Sequence, residues 1–155
     1  MFNWYFNKKI RDVCHGIKER DPTAVKEAAM HLSNLGIVTA DSVLIPAPQH
    51  EGRAVYTKEI ADIIAEQTGC KIADVLKSRP RRTLYEMKKQ KMYDPLQFYL
   101  DGEAERNSLF FVDNVIDTGT TYKEANRLLK GKLKPLAYAV TERWHGFVTN
   151  GLILY

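Results

Sequence analysis

Three stretches of the chain place apolar residues at the three- and four-residue spacing that is typical of amphipathic helices. Asp21 and Pro22 suit the N-cap and first position of the second helix, and Gly36 and Gly69 end the second and third helices. The three stripes consist of Phe6, Ile10, Val13 and Ile17; of Val25, Ala28, Ala29, Leu32 and Leu35; and of Tyr56, Ile60, Ile63, Ile64 and Gln67.

Short apolar runs alternate with these stripes. Residues 43–45, 109–112 and 136–140 are continuous apolar runs and predict buried strands, and residues 72–76 and 96–100 are further candidate strands. A fourth helix is expected after residue 121 and up to about Leu129, with Gly131 as its end. Residues 78–90 are basic and predict no regular element.

This alternation predicts the α/β class, with a doubly wound, mostly parallel open sheet and helices on both faces. The 155 residues fit a single domain over residues 1–155, in which residues 1–36 form an N-terminal helical segment. In such sheets ligands bind beyond the carboxyl ends of the strands, where the strand order reverses. The loops that follow the predicted strands are therefore the expected place for a site.

The sequence LFFVDNVIDTGTT, residues 109–121, combines a buried strand, an acidic residue and a turn that opens a helix. Asp113 and Asn114 are expected at the carboxyl end of the strand. Residues 117–121, called the phosphate loop below, precede helical N–H groups that are unpaired and attract anions. Gly119 lets the backbone approach an anion, and the neighbouring Thr hydroxyls add donors. An ordinary strand–turn–helix with capping residues is the alternative.

These thirteen positions resemble the phosphoribosyl pyrophosphate (PRPP) signature of the type I phosphoribosyltransferase family. The resemblance implies that Asp113 and Asn114 are catalytic and face the ribose hydroxyls. Asn114 departs from the family pattern, which has a second acid there, and so adds no charge. The resemblance also implies Mg²⁺ as a cofactor, held mainly by PRPP and indirectly by Asp113. The residues implied to bind the 5′-phosphate are Asp117, Thr118, Gly119, Thr120 and Thr121.

The sequence PAPQHEGR, residues 46–53 and called the first loop below, also leaves a predicted strand and enters a helix. In the type I family the corresponding loop binds pyrophosphate, which implies that role for His50, Glu51, Gly52 and Arg53. A Pro-rich turn with a solvated Arg and His is the alternative.

Residues 77–91, called the basic segment below, concentrate positive charge. In the type I family a flexible lid that closes over pyrophosphate occupies this place, which implies that role for Lys77, Arg79, Arg81 and Arg82. A solvated surface is one alternative, and nucleic-acid binding helped by nearby tyrosines is another. The stretch from the first loop to residue 90 is also weakly similar to the competence-protein F group of amidophosphoribosyltransferase-like proteins.

Trp144 follows the last predicted strand, where family members place groups that contact the base. The resemblance implies that Trp144 or Phe147 stacks on an acceptor base. Packing of Trp144 under the C-terminal segment is the alternative.

Composition adds limits to this interpretation. The net charge of +4 suits a polyanionic small ligand as well as nucleic acid. No apolar run approaches the ~20 residues that cross a bilayer, and the N-terminus lacks a signal-peptide core. Cys14 and Cys70 are not spaced as a metal motif, so free thiols and a cytoplasmic location are expected. A homo-oligomer is expected from the resemblance alone.

The resemblance implies a phosphoribosyltransferase, a pentosyl-transferring glycosyltransferase of nucleotide metabolism. It would bind PRPP and Mg²⁺ and transfer the phosphoribosyl group to a nitrogen nucleophile that the sequence leaves open. The alternative is a PRPP-sensing regulatory protein that binds nucleic acid through residues 79–91, a partner that the small charge excess disfavours. A different phosphate-binding α/β module is a further alternative.

Overall fold

A computed structural model describes residues 3–105 and 108–144 of the chain. None of the helices in these two ranges is long and apolar enough to cross a membrane. The helices are α1 (Lys8–Lys18), α2 (Pro22–Asn34), α3 (Tyr56–Thr68), α4 (Leu84–Gln90) and α5 (Thr120–Leu128). The strands are β1 (Ser42–Pro46), β2 (Lys71–Ile72), β3 (Leu76–Ser78), β4 (Phe98–Leu100), β5 (Ser108–Ile116) and β6 (Leu133–Val140).

A parallel sheet with the strand order β2-β1-β5-β6 forms the centre of the fold. The chain runs from β1 to β2 on one side and later enters β5 on the other side of β1. Helices α1 to α3 cover one face of the sheet, and α5 covers the opposite face together with the antiparallel pair β3 and β4. The predicted doubly wound α/β sheet is therefore confirmed, with its reversal of strand order between β1 and β5.

Strand β5 packs on both faces, which explains its continuous apolar run. Phe110 and Val112 belong to the core under α1 to α3, whereas Leu109 and Phe111 belong to the core under α5. This alternation follows the two-residue period of a strand. Helices α3 and α5 follow the neighbouring strands β1 and β5 on opposite faces, so the two strand-to-helix loops diverge. The place between these loops, where such sheets commonly bind ligands, is called the crevice below.

The carboxyl end of β5 differs from the prediction. Strand β1 pairs with β5 only as far as Pro46 opposite Val112, whereas β6 continues to Val140 opposite Ile116. The predicted strand end after Val112 is therefore wrong, because Asp113 and Asn114 lie within β5. They are nevertheless the first residues beyond the β1 ladder, so they border the crevice.

Two other sequence-based assignments need correction. The single strand expected at residues 72–76 is two strands, β2 in the main sheet and β3 in the pair with β4. Residues 78–90 contain α4, which begins after a capping box. The Thr83 hydroxyl accepts the Glu86 N–H at 3.2 Å, and the Glu86 carboxylate accepts the Thr83 N–H at 2.7 Å. The Thr-x-x-Glu spacing is the sequence signal for this helix start.

The first loop contacts β3 at Gly52, and a substitution of this residue tests how closely the two segments pack. A Cβ added to Gly52 would lie 2.4 Å from the Ser78 carbonyl oxygen, and the Gly52 φ is +102°. We expect Gly52→Ala to lower the free energy of unfolding by about 2–4 kcal/mol, because backbone strain and a backbone clash add. Urea denaturation measures the loss.

Gly36→Ala is the matched control, because Gly36 has a φ of +73° but no atom within 4 Å of an added Cβ. It should lose only the backbone term of about 1–2 kcal/mol. Equal losses in the two variants would show that Gly52 is not in tight contact with Ser78.

Candidate functional site

The phosphate loop leaves the N-terminus of α5 open. Gly119 is the N-cap residue, with φ +82° and ψ 8°, and no side chain caps the helix. The hydroxyls of Thr118 and Thr120 are exposed and lie 3.0 Å apart beside this end, and Thr121 is in the first helical turn. Unpaired N–H groups and hydroxyl donors on one helix end form an arrangement that can bind an anion.

Asp117, the first residue of the phosphate loop, is directed toward the residues that follow β6. Its Oδ1 accepts a hydrogen bond from the Thr141 hydroxyl at 2.7 Å, and its Oδ2 lies 3.0 Å from a guanidinium nitrogen of Arg143. A carboxylate has no proton to donate to a phosphate oxygen. The side chain of Asp117 therefore contributes to the conformation of the loop, and its backbone remains available to an anion.

Asp113 is the ionisable group at the edge of the crevice. Its carboxylate accepts the Asn114 backbone N–H at 2.7 Å. Burial raises the pKa of Asp113 to about 7, while this hydrogen bond and the positive charge of Lys18 act in the opposite direction. A carboxyl group that changes protonation near neutral pH is more typical of functional sites than of ordinary surface positions.

The side chain of Asn114 is buried, with 1% of its surface exposed. Its Nδ2 donates to the Cys14 carbonyl oxygen in α1 at 3.0 Å, and its Oδ1 is buried without a hydrogen-bond partner among the described residues. An acid at this position would have no proton to give to Cys14 when ionised. This contact therefore favours an amide over an acid at position 114.

The first loop closes the N-terminus of α3 with its own side chain. Gln49 Oε1 accepts the N–H groups of Val55 and Tyr56 at 2.6 and 3.0 Å. The Gly52 N–H donates to the Gln49 carbonyl oxygen at 2.9 Å, which makes the loop a tight turn. Gln49 therefore occupies part of the start of α3, while its N-cap residue Val55 forms no side-chain cap hydrogen bond.

The predicted pyrophosphate residues form the tip of this turn. His50 and Glu51 are about half-exposed, and their side chains lie 3.8 Å apart. The backbone N–H groups of His50, Glu51 and Arg53 have no acceptor within the part of the chain that the structure describes. These turn N–H groups are therefore available to an anion at the first loop.

Tyr56, the first residue of α3, lies within the electrostatic influence of both Asp113 and Glu51. Burial raises the pKa of its hydroxyl, and the negative charges of Asp113 and Glu51 raise it further. The Ala47 N–H also donates to the Val112 carbonyl oxygen at 2.9 Å, so the first loop begins beside the end of the β1–β5 ladder. The first loop therefore starts next to Val112, the residue before Asp113.

The basic segment is joined to the first loop by backbone hydrogen bonds. The Ser78 N–H donates to the Gly52 carbonyl oxygen and the Arg81 N–H donates to the His50 carbonyl oxygen, both at 2.9 Å. Arg81 is half-buried, and its Nε is buried without a partner among the described residues. This arrangement brings an unsatisfied guanidinium donor close to the loop tip.

Two of the four predicted lid cations are paired within their own segment. Arg82 donates to both carboxylate oxygens of Asp94, at 2.9 and 2.6 Å, and Lys77 lies 3.1 Å from Asp74. Arg79 is exposed and forms no ion pair within the described residues. The charges of Lys77 and Arg82 are therefore neutralised in this conformation, and movement of the lid stays a prediction.

The ring of Trp144 lies against the phosphate loop. Only 6% of the residue is exposed, and a Cβ added to Gly119 would fall 1.5 Å from a ring atom. The ring meets Tyr122 edge to face at a centroid distance of 5.9 Å. Trp144 is therefore not presented for stacking on a base in this conformation, and Phe147 lies outside the described residues.

Sequence reasoning missed several residues of the site. Thr141 and Arg143 follow a strand in a segment with no recognisable motif. The positive charge of Lys18 acts on Asp113, although the two residues are far apart in the sequence. Only Gln49 had a local signal, as a polar residue shortly before a helix. The missed residues are Lys18, Gln49, Tyr56, Thr141 and Arg143.

Few side chains among the described residues are placed to bind a metal ion. Within residues 3–105 and 108–144 no three His, Cys, Asp or Glu side chains cluster as a metal site, and Cys14 and Cys70 are free thiols. Mg²⁺ prefers oxygen ligands and is commonly bound by one or two carboxylates together with substrate phosphates. The carboxylate of Asp113 fits such a shared site.

The contact between Asn114 and Cys14 makes a prediction about stability. We expect Asn114→Asp to lower the free energy of unfolding by about 2–4 kcal/mol near neutral pH, because a buried charge replaces a hydrogen-bond donor. Burial raises the folded-state pKa of the new acid above its unfolded value. The loss should therefore grow as the pH rises above about 4 and shrink below it, where the protonated acid can donate to Cys14.

Urea denaturation at acidic and neutral pH measures this dependence. Asn126→Asp is the matched control, because Asn126 Oδ1 accepts the Leu133 N–H at 3.0 Å and a carboxylate still accepts it. A loss that is the same at both pH values would contradict the proposed contact.

The raised pKa of Asp113 predicts a second pH dependence, measured without Mg²⁺ or PRPP. The stability that the protonated carboxyl contributes is present below the unfolded pKa of about 4 and is lost as the pH passes the folded pKa of about 7. Asp113→Asn retains an acceptor for the Asn114 N–H and cannot ionise. We expect it to match the wild type near pH 4 and to exceed it by on the order of 1–3 kcal/mol near pH 8.

Thermal or urea denaturation across this range provides the measurement. Asp41→Asn, at an exposed position, controls for the change of residue type. A variant that is less stable than the wild type at alkaline pH would show that the carboxyl of Asp113 is stabilised as an anion.

Comparison with solved structures identifies a phosphoribosyltransferase with this architecture. A purine phosphoribosyltransferase from Pyrococcus horikoshii Ot3 aligns over 78% of this chain and 75% of its own, with a TM-score of 0.50 and 15% sequence identity. No family model and no curated protein sequence matches the chain. The chain therefore shares the fold of a phosphoribosyltransferase.

Proposed function

We propose that this chain is a phosphoribosyltransferase that binds PRPP and Mg²⁺ and transfers the phosphoribosyl group to a nitrogen nucleophile, releasing pyrophosphate. One observation carries the proposal: the uncapped N-terminus of α5 and the carboxyl of Asp113 lie at the reversal of strand order. Anions and hydroxyls are the groups that such a pair recognises. The fold shared with a purine phosphoribosyltransferase supports the proposal.

The 5′-phosphate and the ribose would occupy the β5 side of the crevice. The phosphate would accept hydrogen bonds from the N–H groups of the phosphate loop and from the hydroxyls of Thr118 and Thr120. A ribose hydroxyl can donate to the carboxylate of Asp113. Asn114 would support this part of β5 through its buried contact with the Cys14 carbonyl oxygen, and its side chain does not face a ligand in this conformation.

The pyrophosphate would lie at the tip of the first loop. The N–H groups of His50, Glu51 and Arg53 face no acceptor there, and Gly52 permits the tight turn. Arg81, whose backbone is bonded to the His50 carbonyl oxygen, would supply the positive charge of its half-buried guanidinium from the basic segment. Lys77 and Arg82 can act on the leaving group only after they release Asp74 and Asp94, so they would contribute when the basic segment changes conformation.

In the reaction, the bond between ribose C1 and pyrophosphate breaks and a bond from C1 to the nitrogen nucleophile forms. Positive charge develops on the sugar as pyrophosphate leaves, and the carboxylate of Asp113 stabilises that charge. The guanidinium of Arg81 and the loop N–H groups hold the departing anion. When bound with PRPP, Mg²⁺ supplies further neutralisation of the pyrophosphate charge.

The identity of the acceptor, the oligomeric state and the cellular location stay predictions. A purine base is one acceptor to test, because the structural neighbour is described as a purine phosphoribosyltransferase. The single domain over residues 1–155, the homo-oligomer and the cytoplasmic location rest on the sequence.

A second candidate function is a PRPP sensor that binds nucleic acid through residues 79–91. The observation that favours it is an exposed face of α4, where Tyr85 is 74% exposed and shares a helical face with Lys88 and Lys89. Tyr93 beyond the helix is 73% exposed. Aromatic rings and cations on one surface are typical of single-stranded nucleic-acid binding.

Calorimetric titration with PRPP and Mg²⁺ tests the PRPP site. We expect the wild type to bind and Thr120→Glu to show no measurable binding, because a carboxylate at the open end of α5 repels the phosphate. The same substitution should leave folding intact, since an acid in the first turn of a helix is favourable. Thr23→Glu places the same charge in the first turn of α2 and should bind PRPP like the wild type.

Pyrophosphate release with a panel of nitrogen bases then separates the enzyme from the sensor. Asp113→Asn should retain PRPP binding within about tenfold and lose roughly 100-fold in turnover, because it removes charge stabilisation that acts in the transition state. Absence of PRPP binding by the wild type would refute both functions. Binding without pyrophosphate release for any base, together with salt-dependent binding of single-stranded nucleic acid, would select the sensor.

A further inference from the structure

We propose that residues 141–144, called the clamp below, position the phosphate loop for ligand binding, with Thr141 and Trp144 as its positioning residues. The inference rests on the proposed PRPP site and gives Trp144 a role other than stacking on a base. It also explains the signature residue Asp117, whose carboxylate would otherwise repel a phosphate. The two parts of the clamp act on Asp117 and on Gly119.

The first part of the clamp holds the carboxylate of Asp117. The Thr141 N–H donates to the Ile116 carbonyl oxygen at 3.0 Å, which continues the β5–β6 pairing by one residue. From this fixed backbone the Thr141 hydroxyl donates to Asp117 Oδ1 at 2.7 Å and accepts the Arg143 N–H at 3.2 Å. The guanidinium of Arg143 contacts the other carboxylate oxygen at 3.0 Å.

These contacts turn the negative charge of Asp117 toward the clamp and neutralise it. Hydrogen bonds to a charged acceptor are among the stronger ones in proteins. With its carboxylate held in this way, Asp117 leaves its backbone and the following residues to face a phosphate. The contact depends on the hydroxyl of Thr141, which no hydrophobic side chain replaces.

The second part of the clamp is the ring of Trp144 against Gly119. The Trp144 N–H donates to the Thr141 carbonyl oxygen at 3.1 Å, so one tight turn carries both positioning residues. The ring fills the space where any side chain at position 119 would lie, since an added Cβ would be 1.5 Å from it. Its edge-to-face contact with Tyr122 in the first turn of α5 fixes the ring further.

Gly119 determines where the N–H groups at the start of α5 point. Its φ of +82° is accessible to glycine, and the ring of Trp144 packs where a side chain at this position would lie. Loss of this packing would let the loop shift, and a displacement of about 1 Å in a binding group can change rates and affinities by as much as about 100-fold. Ligand affinity should therefore depend on a ring that does not itself contact the phosphate.

Calorimetry with fragments of PRPP tests the clamp. Ribose 5-phosphate engages the phosphate loop, whereas pyrophosphate with Mg²⁺ engages the first loop. We expect Thr141→Val and Trp144→Phe to weaken ribose 5-phosphate and PRPP by roughly tenfold or more. Both variants should bind pyrophosphate with Mg²⁺ like the wild type, which a general loss of structure would not allow.

Two further variants sharpen the test. Trp4→Phe is the matched control for the other tryptophan of the chain and should leave ribose 5-phosphate binding unchanged. The double variant Asp117→Asn with Thr141→Val should be no weaker than the more affected single variant, because Thr141 acts through Asp117. Additive losses would show that Thr141 acts independently and would overturn that part of the proposal.

The outcomes for the function and for the clamp are distinguishable. If the wild type binds neither PRPP nor ribose 5-phosphate, the proposed function fails and the clamp has no ligand to position. If the wild type binds both but Trp144→Phe and Thr141→Val bind ribose 5-phosphate equally well, the clamp is refuted while the function stands. Parallel losses for ribose 5-phosphate and pyrophosphate would also refute it, because they indicate a purely structural role.

Discussion

The unequal pairing of β5 with its two neighbours is the constraint on which the candidate site depends. Strand β1 leaves β5 after Val112, whereas β6 stays paired through Ile116. Residues 113–116 are therefore paired with a strand on one side and with no described strand on the other. This places Asp113 on rigid backbone at the rim of the crevice, where a loop would have left it less precisely held. The full burial of Phe111 and the near-full burial of Phe110 anchor the strand from both faces.

In the part of the chain that the structure describes, helix starts without a side-chain cap and buried polar atoms without a hydrogen-bond partner occur around the crevice. The N-cap side chain caps three helices, Asn7 for α1, Asp21 for α2 and Thr83 for α4, whereas the N-cap residues of α3 and α5, the two helices that follow β1 and β5, form no side-chain cap hydrogen bond within the described residues. The buried atoms Asn114 Oδ1 and Arg81 Nε lack partners in the same region of the described structure. Each such group costs stability in the absence of a ligand. Local departures from good packing and capping are typical of functional sites, so their coincidence at one edge favours a ligand there.

The parts of this fold that the sequence predicts are those set by local interactions. Asp21 with Pro22 starts α2, Gly69 ends α3, and apolar runs mark β1 and β5, since each depends on a few neighbouring residues. The parts of the fold that the sequence does not predict depend on residues that are far away along the chain. The end of β5 is set by the length of β6, and the orientation of Asn114 is set by a carbonyl group 100 residues earlier.

The phosphate loop shows the same division between local and distant determinants. Its composition predicts an open helix end, and the structure has one. Its fine geometry depends on Thr141, Arg143 and Trp144, which lie more than twenty residues later and carry no motif. Sequence pattern therefore indicates what kind of group the loop can bind, whereas tertiary packing determines how firmly the loop is held.

Asn114 illustrates how packing and chemistry can make opposite demands on one residue. The type I signature has an acid at this position, but the carbonyl oxygen of Cys14 requires a hydrogen-bond donor there. The amide satisfies the packing and leaves Asp113 as the acid on this part of β5. Because the pKa of Asp113 is raised to about 7, that acid is only partly ionised near neutral pH in the ligand-free protein. A polyanionic ligand therefore meets less repulsion as it enters. Under the proposed function, positive charge that develops on the sugar during the reaction would then favour the ionised carboxylate.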